Sequence, residues 1–128
     1  MKELTKAEEQ VMQYLWKLEK GFLKDIIEEF PQPRPANTTV ATVVRVLVKK
    51  GVVGFQTFGK SNQYYPLVSR DSYAMATVKG VLSSFFNNSV QKFTSFFTRE
   101  NDLSLSELEE MKALIEEQIR NKKEEEDE

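Results

Sequence analysis

The 128-residue chain contains no cysteine and no histidine. Without cysteine it has no disulfide, thiolate nucleophile or zinc ribbon. Without histidine it lacks the commonest metal ligand and the side chain best suited to proton transfer near neutral pH. Most enzyme chemistry is thereby excluded. Ser83 and Ser84 have no base beside them, and the acidic clusters at 107–110 and 124–126 read as solvated faces, so no catalytic residue, metal or cofactor is expected. Also missing is any run of the ~18 apolar residues that a membrane span needs. The start, Met1-Lys2-Glu3-Leu4, lacks the apolar stretch of a secretory signal. A soluble, cytoplasmic protein with no membrane partner is expected.

A further absence is local. Residues 30–70 hold no acid at all, yet contain Arg34, Arg45, Lys49, Lys50, Lys60 and Arg70. The net charge of -2 conceals this division: residues 1–70 carry 11 basic against 7 acidic side chains, and the remainder 7 against 13. Forty-one residues at +6 form an electrostatic footprint for a polyanion, or else the solvated basic face of an ordinary domain. With 40% hydrophobic residues the chain can bury a core, and its length suits one domain or one small domain with an appendage.

Thr5-Lys6-Ala7-Glu8 is a capping box, and predicts a helix from there to about Glu19, with Ala7, Val11, Leu15 and Leu18 in an apolar stripe and Gly21 as its stop. A short second helix should run from about Leu23 to Pro31, with Ile26, Ile27 and Phe30 inward and Lys24, Asp25, Glu28 and Glu29 outward. Pro33 and Pro35 then impose an extended turn. NTTVATVVRVLVKKG (37–51) is ambiguous. Its Val and Thr content favours a strand. Against that, Val40, Val43, Val44 and Leu47 recur at helical spacing, Asn37 suits an N-cap, and Lys49, Lys50 and Gly51 suit a helix end. Residues 52–57 and 63–67 read as a β-hairpin with Lys60 at its tip and Pro66 on an edge strand.

From Asp71 the pattern is helical again. Tyr73, Met75, Val78, Val81 and Leu82 lead into Phe85, Phe86, Phe93, Phe96 and Phe97, five of the nine phenylalanines. A last capping box, Ser104-Leu105-Ser106-Glu107, opens a helix with Leu108, Met111 and Ile115 on its apolar side. Residues 122–128, KKEEEDE, read as a disordered charged tail.

Three helices and then a hairpin is the element order of a winged helix-turn-helix. Such a domain needs a third helix that buries one face and offers a cationic face to the major groove. On a helical wheel Thr38, Thr42, Arg45 and Lys49 share one face, opposite Val40, Val44 and Leu47. Thr methyls suit the thymine methyl, and Arg can grip guanine with two hydrogen bonds. The fold class expected is therefore mainly α with a small β-hairpin wing: a winged domain over 1–70, a helical domain over 71–121, and the tail. The helical part cannot easily enclose five Phe by itself, because so small a chain buries little of its surface. Either these Phe cover the winged domain of the same chain, or a second copy covers Phe85, Phe86, Phe93, Phe96, Phe97, Leu108, Met111 and Ile115; the second is expected, and a twofold dimer would pair two reading helices with two half-sites.

LTKAEEQVMQYLW, IIEEF, NTTVATVVRVLVKKGVV, GKSNQYYPLVSRD and NDLSLSELEEMKALIEE together resemble the BlaI/MecI penicillinase-repressor family of bacterial transcription regulators over nearly the whole chain. The resemblance implies that 37–51 is a helix. It further implies a dimeric repressor that binds a pseudo-palindromic double-stranded DNA operator, with residues 38–50 as the reading helix and 59–62 as the wing tip. The DNA-binding set expected is Asn37, Thr38, Thr39, Thr42, Arg45, Lys49, Lys60 and Ser61. Where the family often has Arg-Leu before its Lys-Gly, this chain has Val46-Leu47 with Arg45 one place earlier, so a different operator is expected. A protein-docking module without sequence-specific DNA binding is the alternative. Copper-responsive relatives end in a cysteine-rich tail that this chain lacks.

The resemblance also implies a regulatory protease as a partner. In the penicillinase repressors a membrane sensor's signal leads to cleavage of an Asn-Phe bond in the dimerisation domain. The equivalent bond here is Phe96-Phe97, and no Asn-Phe occurs anywhere in the chain. A protease that selects through the Asn amide would reject this site, so induction by a different protease or another signal is expected.

Overall fold

The computed structural model describes residues 3–100 and 102–127. The chain forms two compact units, Met1–Val78 and Lys79–Glu128. In the first unit, α1 (Lys6–Leu18), β1 (Gly21–Phe22), α2 (Leu23–Glu29) and α3 (Asn37–Lys49) precede β2 (Val53–Phe58) and β3 (Ser61–Pro66). α4 (Arg70–Phe86) begins in the first unit and runs into the second, which also holds α5 (Val90–Glu100) and α6 (Leu105–Glu126). The arrangement is a winged helix-turn-helix followed by a helical unit.

α1 starts where its capping box places it. The Thr5 side chain accepts from Glu8 N, and the Glu8 carboxylate accepts from Thr5 N. Two readings of this helix need correction. Ala7 is exposed and Glu8 is buried. The stop is Glu19, at φ 69°, and not Gly21, which instead opens a two-residue strand that the sequence did not announce. That strand makes the sheet three-stranded, in the order β1-β3-β2. β3 is consequently central, and Pro66 does not sit on an edge strand. Pro66 is nonetheless tolerated, because β1 pairs only with Gln63 and Tyr64, and Leu67 N donating to Val52 O carries the ladder past it.

α3 is a helix despite its Val and Thr. Val40, Val44 and Leu47 are each almost fully buried, together with Val11, Met12 and Leu15 of α1, Ile26 of α2, and Val53. Each such burial stabilises by about 1.5–3 kcal/mol, well above the few tenths by which β-branched residues disfavour a helix. Ala36, and not Asn37, is the N-cap: its carbonyl accepts from Thr39 N and Val40 N, so the helix begins one residue earlier than an Asn cap would allow. Gly51, at φ +80°, turns the chain into β2. The hairpin loop is only Gly59-Lys60, shorter than read, and Gly59 at φ +62° supplies the positive φ that a type II′ turn demands at its first position.

Two further boundaries differ from the sequence reading, at residue 70 and in the charged tail. The compact winged unit extends to Val78, past residue 70, because Tyr73 in α4 packs against it. Asn87 and Asn88, both at positive φ, separate α4 from α5. The charged segment from residue 122 is helical through Glu126, since Glu and Lys are good helix formers and Lys122 pairs with Glu125 one turn on. Glu128 lies outside the described residues.

Candidate nucleic-acid interface

α3 presents one buried and one exposed face. Opposite Val40, Val44 and Leu47, the side chains of Thr38, Thr42, Arg45 and Lys49 are all exposed, as are Asn37 and Thr39 in its first turn. Thr42 Oγ1 donates to Thr38 O at 2.8 Å. This back-bond uses the only hydroxyl proton and fixes the side chain, leaving its methyl and its acceptor lone pairs facing outward.

The six cations of the acid-free stretch divide into two groups. Lys50 Nζ lies 2.5 Å from Glu8 Oε1 and 3.1 Å from Glu8 Oε2, and also donates to Glu3 O. Burial disfavours the ionised Glu8, but the hydrogen bonds from Lys50 and Thr5 and the charge of Lys50 outweigh it, holding the carboxyl below its usual range. Arg34 donates to the carbonyls of Phe30 and Glu28 and so braces the proline turn. These two charges are committed to the fold. Arg45, Lys49, Lys60 and Arg70 are exposed and make no ion pair among the described residues. The sequence could not show this division, because Glu8 and Lys50 are 42 positions apart.

In the wing, Thr57 and Asn62 face each other across the strands and are joined by Thr57 Oγ1 donating to Asn62 Oδ1 at 2.8 Å. The bond braces the tip that carries Lys60. A groove of about 830 Å³ runs between α2, the start of α3 and the wing; it brings Asn37, Lys60 and Ser61 together with Lys24, Asn62 and Tyr64. Lys24 and Asn62 were not among the expected site residues. Arg45 and Lys49 do not line this groove; at ~1.5 Å per residue they stand about 12 and 18 Å along the helix from Asn37.

In the second unit no described residue is buried. Phe86, Phe93, Phe96 and Phe97 form a ring cluster between α4 and α5, with centroids 5.3 to 5.9 Å apart. Phe85 stands outside these ring pairs and is 77% exposed. Leu108 and Ile115 of α6 are exposed, as are Leu105, Leu114 and Ile119, while Met111 is half-buried.

The penicillinase repressor family model matches residues 4–117. The methicillin resistance regulatory protein MecI of Mammaliicoccus sciuri is 28% identical over 114 residues, covering 88% of this chain and 93% of that protein. The penicillinase repressor of Bacillus licheniformis is 25% identical over 123 residues, covering 95% and 96%. Among solved structures, the DNA-binding domain of the repressor BlaI is 26% identical, with a TM-score of 0.49 over 57% of this chain and 94% of that one. A winged helix-turn-helix with an exposed cationic reading face, and a family match over almost its full length, lead to one assignment: the chain belongs to the penicillinase repressor family of transcriptional repressors.

Proposed function

We propose that this repressor binds a twofold DNA operator as a homodimer in the cytoplasm and acts by occupancy, without catalysis. The observation that carries this reading is the face of α3, where Thr38, Thr42, Arg45 and Lys49 stand exposed directly opposite a buried apolar face. In the major groove Arg45 would read a base edge. Thr38 and Thr42 would meet thymine methyls, and Lys49 would meet a phosphate. Asn37 and Thr39 stand at the entry of the helix, while Lys60 and Ser61 on the braced wing would hold the flanking backbone. Protein docking without DNA binding is not favoured, since the family is one of repressors and, among the described residues, Arg45 and Lys49 make no ion pair.

Dimerisation is supported by the second unit. None of its described residues is fully buried, and Phe85, Leu108 and Ile115 stand in contact with solvent, the kind of exposed apolar surface that a second copy would cover. Phe96, Phe97 and Met111 would extend the same interface, with the half-buried Phe86 and Phe93 behind them. Among the described residues no helix is long and apolar enough to cross a membrane. For induction, we read the Phe96-Phe97 bond as a poor protease site: it lies inside α5, and a helix must open before a protease can take its backbone in extended form.

The test is selection of bound duplexes from a random library by the full chain, followed by sedimentation of the best duplex with protein. The expected product is a sequence with twofold symmetry, half-sites ~10 base pairs apart or a multiple of that, and two chains per duplex. Recovery of asymmetric sequences carrying one chain each would overturn the dimer reading.

A further inference from the structure

The groove between α2 and the wing is lined from both sides by a lysine. Phe22, in β1, and Phe58, in β2, meet edge to face with ring centroids 6.1 Å apart, and both line the groove. Two positions after each comes a lysine that also lines it, Lys24 on α2 and Lys60 at the wing tip. β1 runs directly into α2 and pairs with β3 through Gly21 with Tyr64 and Phe22 with Gln63, so backbone pairing as well as the ring contact ties α2 to the wing strands. Lys24 is exposed and, among the described residues, makes no ion pair, not even with Glu28 one turn on. Of the three acids of α2, Asp25 accepts from Phe22 N at 2.8 Å and Glu29 pairs with Lys17, which leaves Glu28 as the one acid lining the groove. Thr57 takes up the carbonyl of Asn62 and leaves the NH2 of that side chain as a further donor.

We infer, resting on the DNA-binding reading above, that this groove seats the sugar-phosphate backbone of the duplex, with Lys24 as a positioning residue that grips one phosphate from α2 while Lys60 grips the same strand from the wing. Two ammonium groups, the Asn62 amide and the Ser61 hydroxyl face a single carboxylate there, so the donor set suits an anion. Asn37, the first residue of α3, lines the groove as well, and a strand lying in it is therefore continuous with what α3 reads. Lysine is a flexible point charge that matches a phosphate but does not discriminate one base edge from another. Lys24 would thus set how α3 enters the major groove without adding sequence preference of its own. Glu28 faces the same strand with the wrong sign and would weaken its hold. Removing Lys24 and neutralising Glu28 should consequently move affinity in opposite directions, although the two residues are neighbours on one short helix.

The experiment uses the full chain, the duplex that it selects from a random library and a scrambled duplex of equal length. Lys24→Ala should lower the slope of log affinity against log salt by about one for each bound chain, and weaken binding to both duplexes roughly fivefold per chain at about 0.15 M salt. Glu28→Gln should tighten both by roughly twofold, the effect of removing one screened like charge. Lys24→Arg, which keeps the charge, should restore the wild-type slope. A set of selected duplexes in which one phosphate at a time is replaced by a neutral methylphosphonate then locates the contact. At one position the replacement should cost wild type roughly fivefold and cost Lys24→Ala nothing, and the position that couples to Lys60→Ala in the same way should lie on the same strand. A merely structural role for Lys24 would shift urea unfolding at Trp16 and leave the salt slope and the phosphate coupling unmoved. An unchanged slope for Lys24→Ala, or a loss that couples to no phosphate, would overturn the inference. Wild-type affinity that responds neither to salt nor to sequence would instead overturn the DNA-binding reading beneath it.

Discussion

Replacing Lys50 with Met separates the charges that hold the fold from those left exposed at the surface. Glu8 is 6% exposed and accepts from Lys50 Nζ with both oxygens, so Lys50→Met leaves a buried carboxylate with only Thr5 N as donor. Removing one partner of a fully buried pair costs about 3–5 kcal/mol. The Lys50 side chain keeps a fifth of its exposure, which lets water reach the site, so about 2–3 kcal/mol is expected here. Glu8→Gln, which still caps Thr5 N, should cost about 1–2 kcal/mol. The double variant should fall short of the sum by roughly 1–2 kcal/mol, because neither charge is then stranded. Urea unfolding followed at Trp16, the only tryptophan, reads the winged unit directly. Because Glu8 is held below its usual range in the folded chain, its contribution is complete above the unfolded carboxyl's pKa and is lost as pH falls through the folded one. The penalty of Lys50→Met should shrink over that same acid interval. Its salt slope on duplex DNA should match wild type. A coupling below about 0.5 kcal/mol, or a penalty independent of pH, would refute the assignment.

The other expectations concern the interface and its control. Arg45→Ala should cost ~1–3 kcal/mol on the selected operator and relax preference at one base position, whereas equal losses on random DNA would reassign it to a phosphate. Lys60→Ala should weaken all duplexes alike and lower the salt slope by about one, measured as log affinity against log salt. A fragment ending at Val78 should stay folded, sediment as a monomer and bind one half-site weakly; a full-length monomer at micromolar concentration would contradict the dimer. Incubation with the protease domain of a penicillinase-type sensor should leave the chain intact, and a cut between Phe96 and Phe97 with loss of DNA binding would show that the family's route operates without the asparagine.

The sequence was most informative where a local interaction fixes the outcome. Thr5 with Glu8 and Ser104 with Glu107 are reciprocal caps three residues apart, and both form as their spacing predicts. The hairpin was legible from its apolar runs and from Gly59. α3 was not legible from composition alone, because the choice between strand and helix rests on what Val40, Val44 and Leu47 pack against, which is set by α1 and α2. β1 left no trace because two residues have no periodicity. The candidate site was legible as a face but not as a set of available charges: Arg34 and Lys50 look like Arg45 and Lys49 until the carbonyls and the carboxylate that engage them are in place. Tyr73 read as one more apolar residue of a helix, and only its partner 64 positions away distinguishes it.

The central claim, that α3 and the wing read DNA with specificity, is tested most directly by the affinity of the full chain for its selected duplex and for a scrambled duplex of equal length, each across a salt series. Affinity for both should fall steeply and linearly in log salt, as phosphate contacts release counterions. At physiological salt the selected duplex should be held at least ~10³-fold tighter. Equal affinity for the two duplexes, or binding that does not respond to salt, would contradict it.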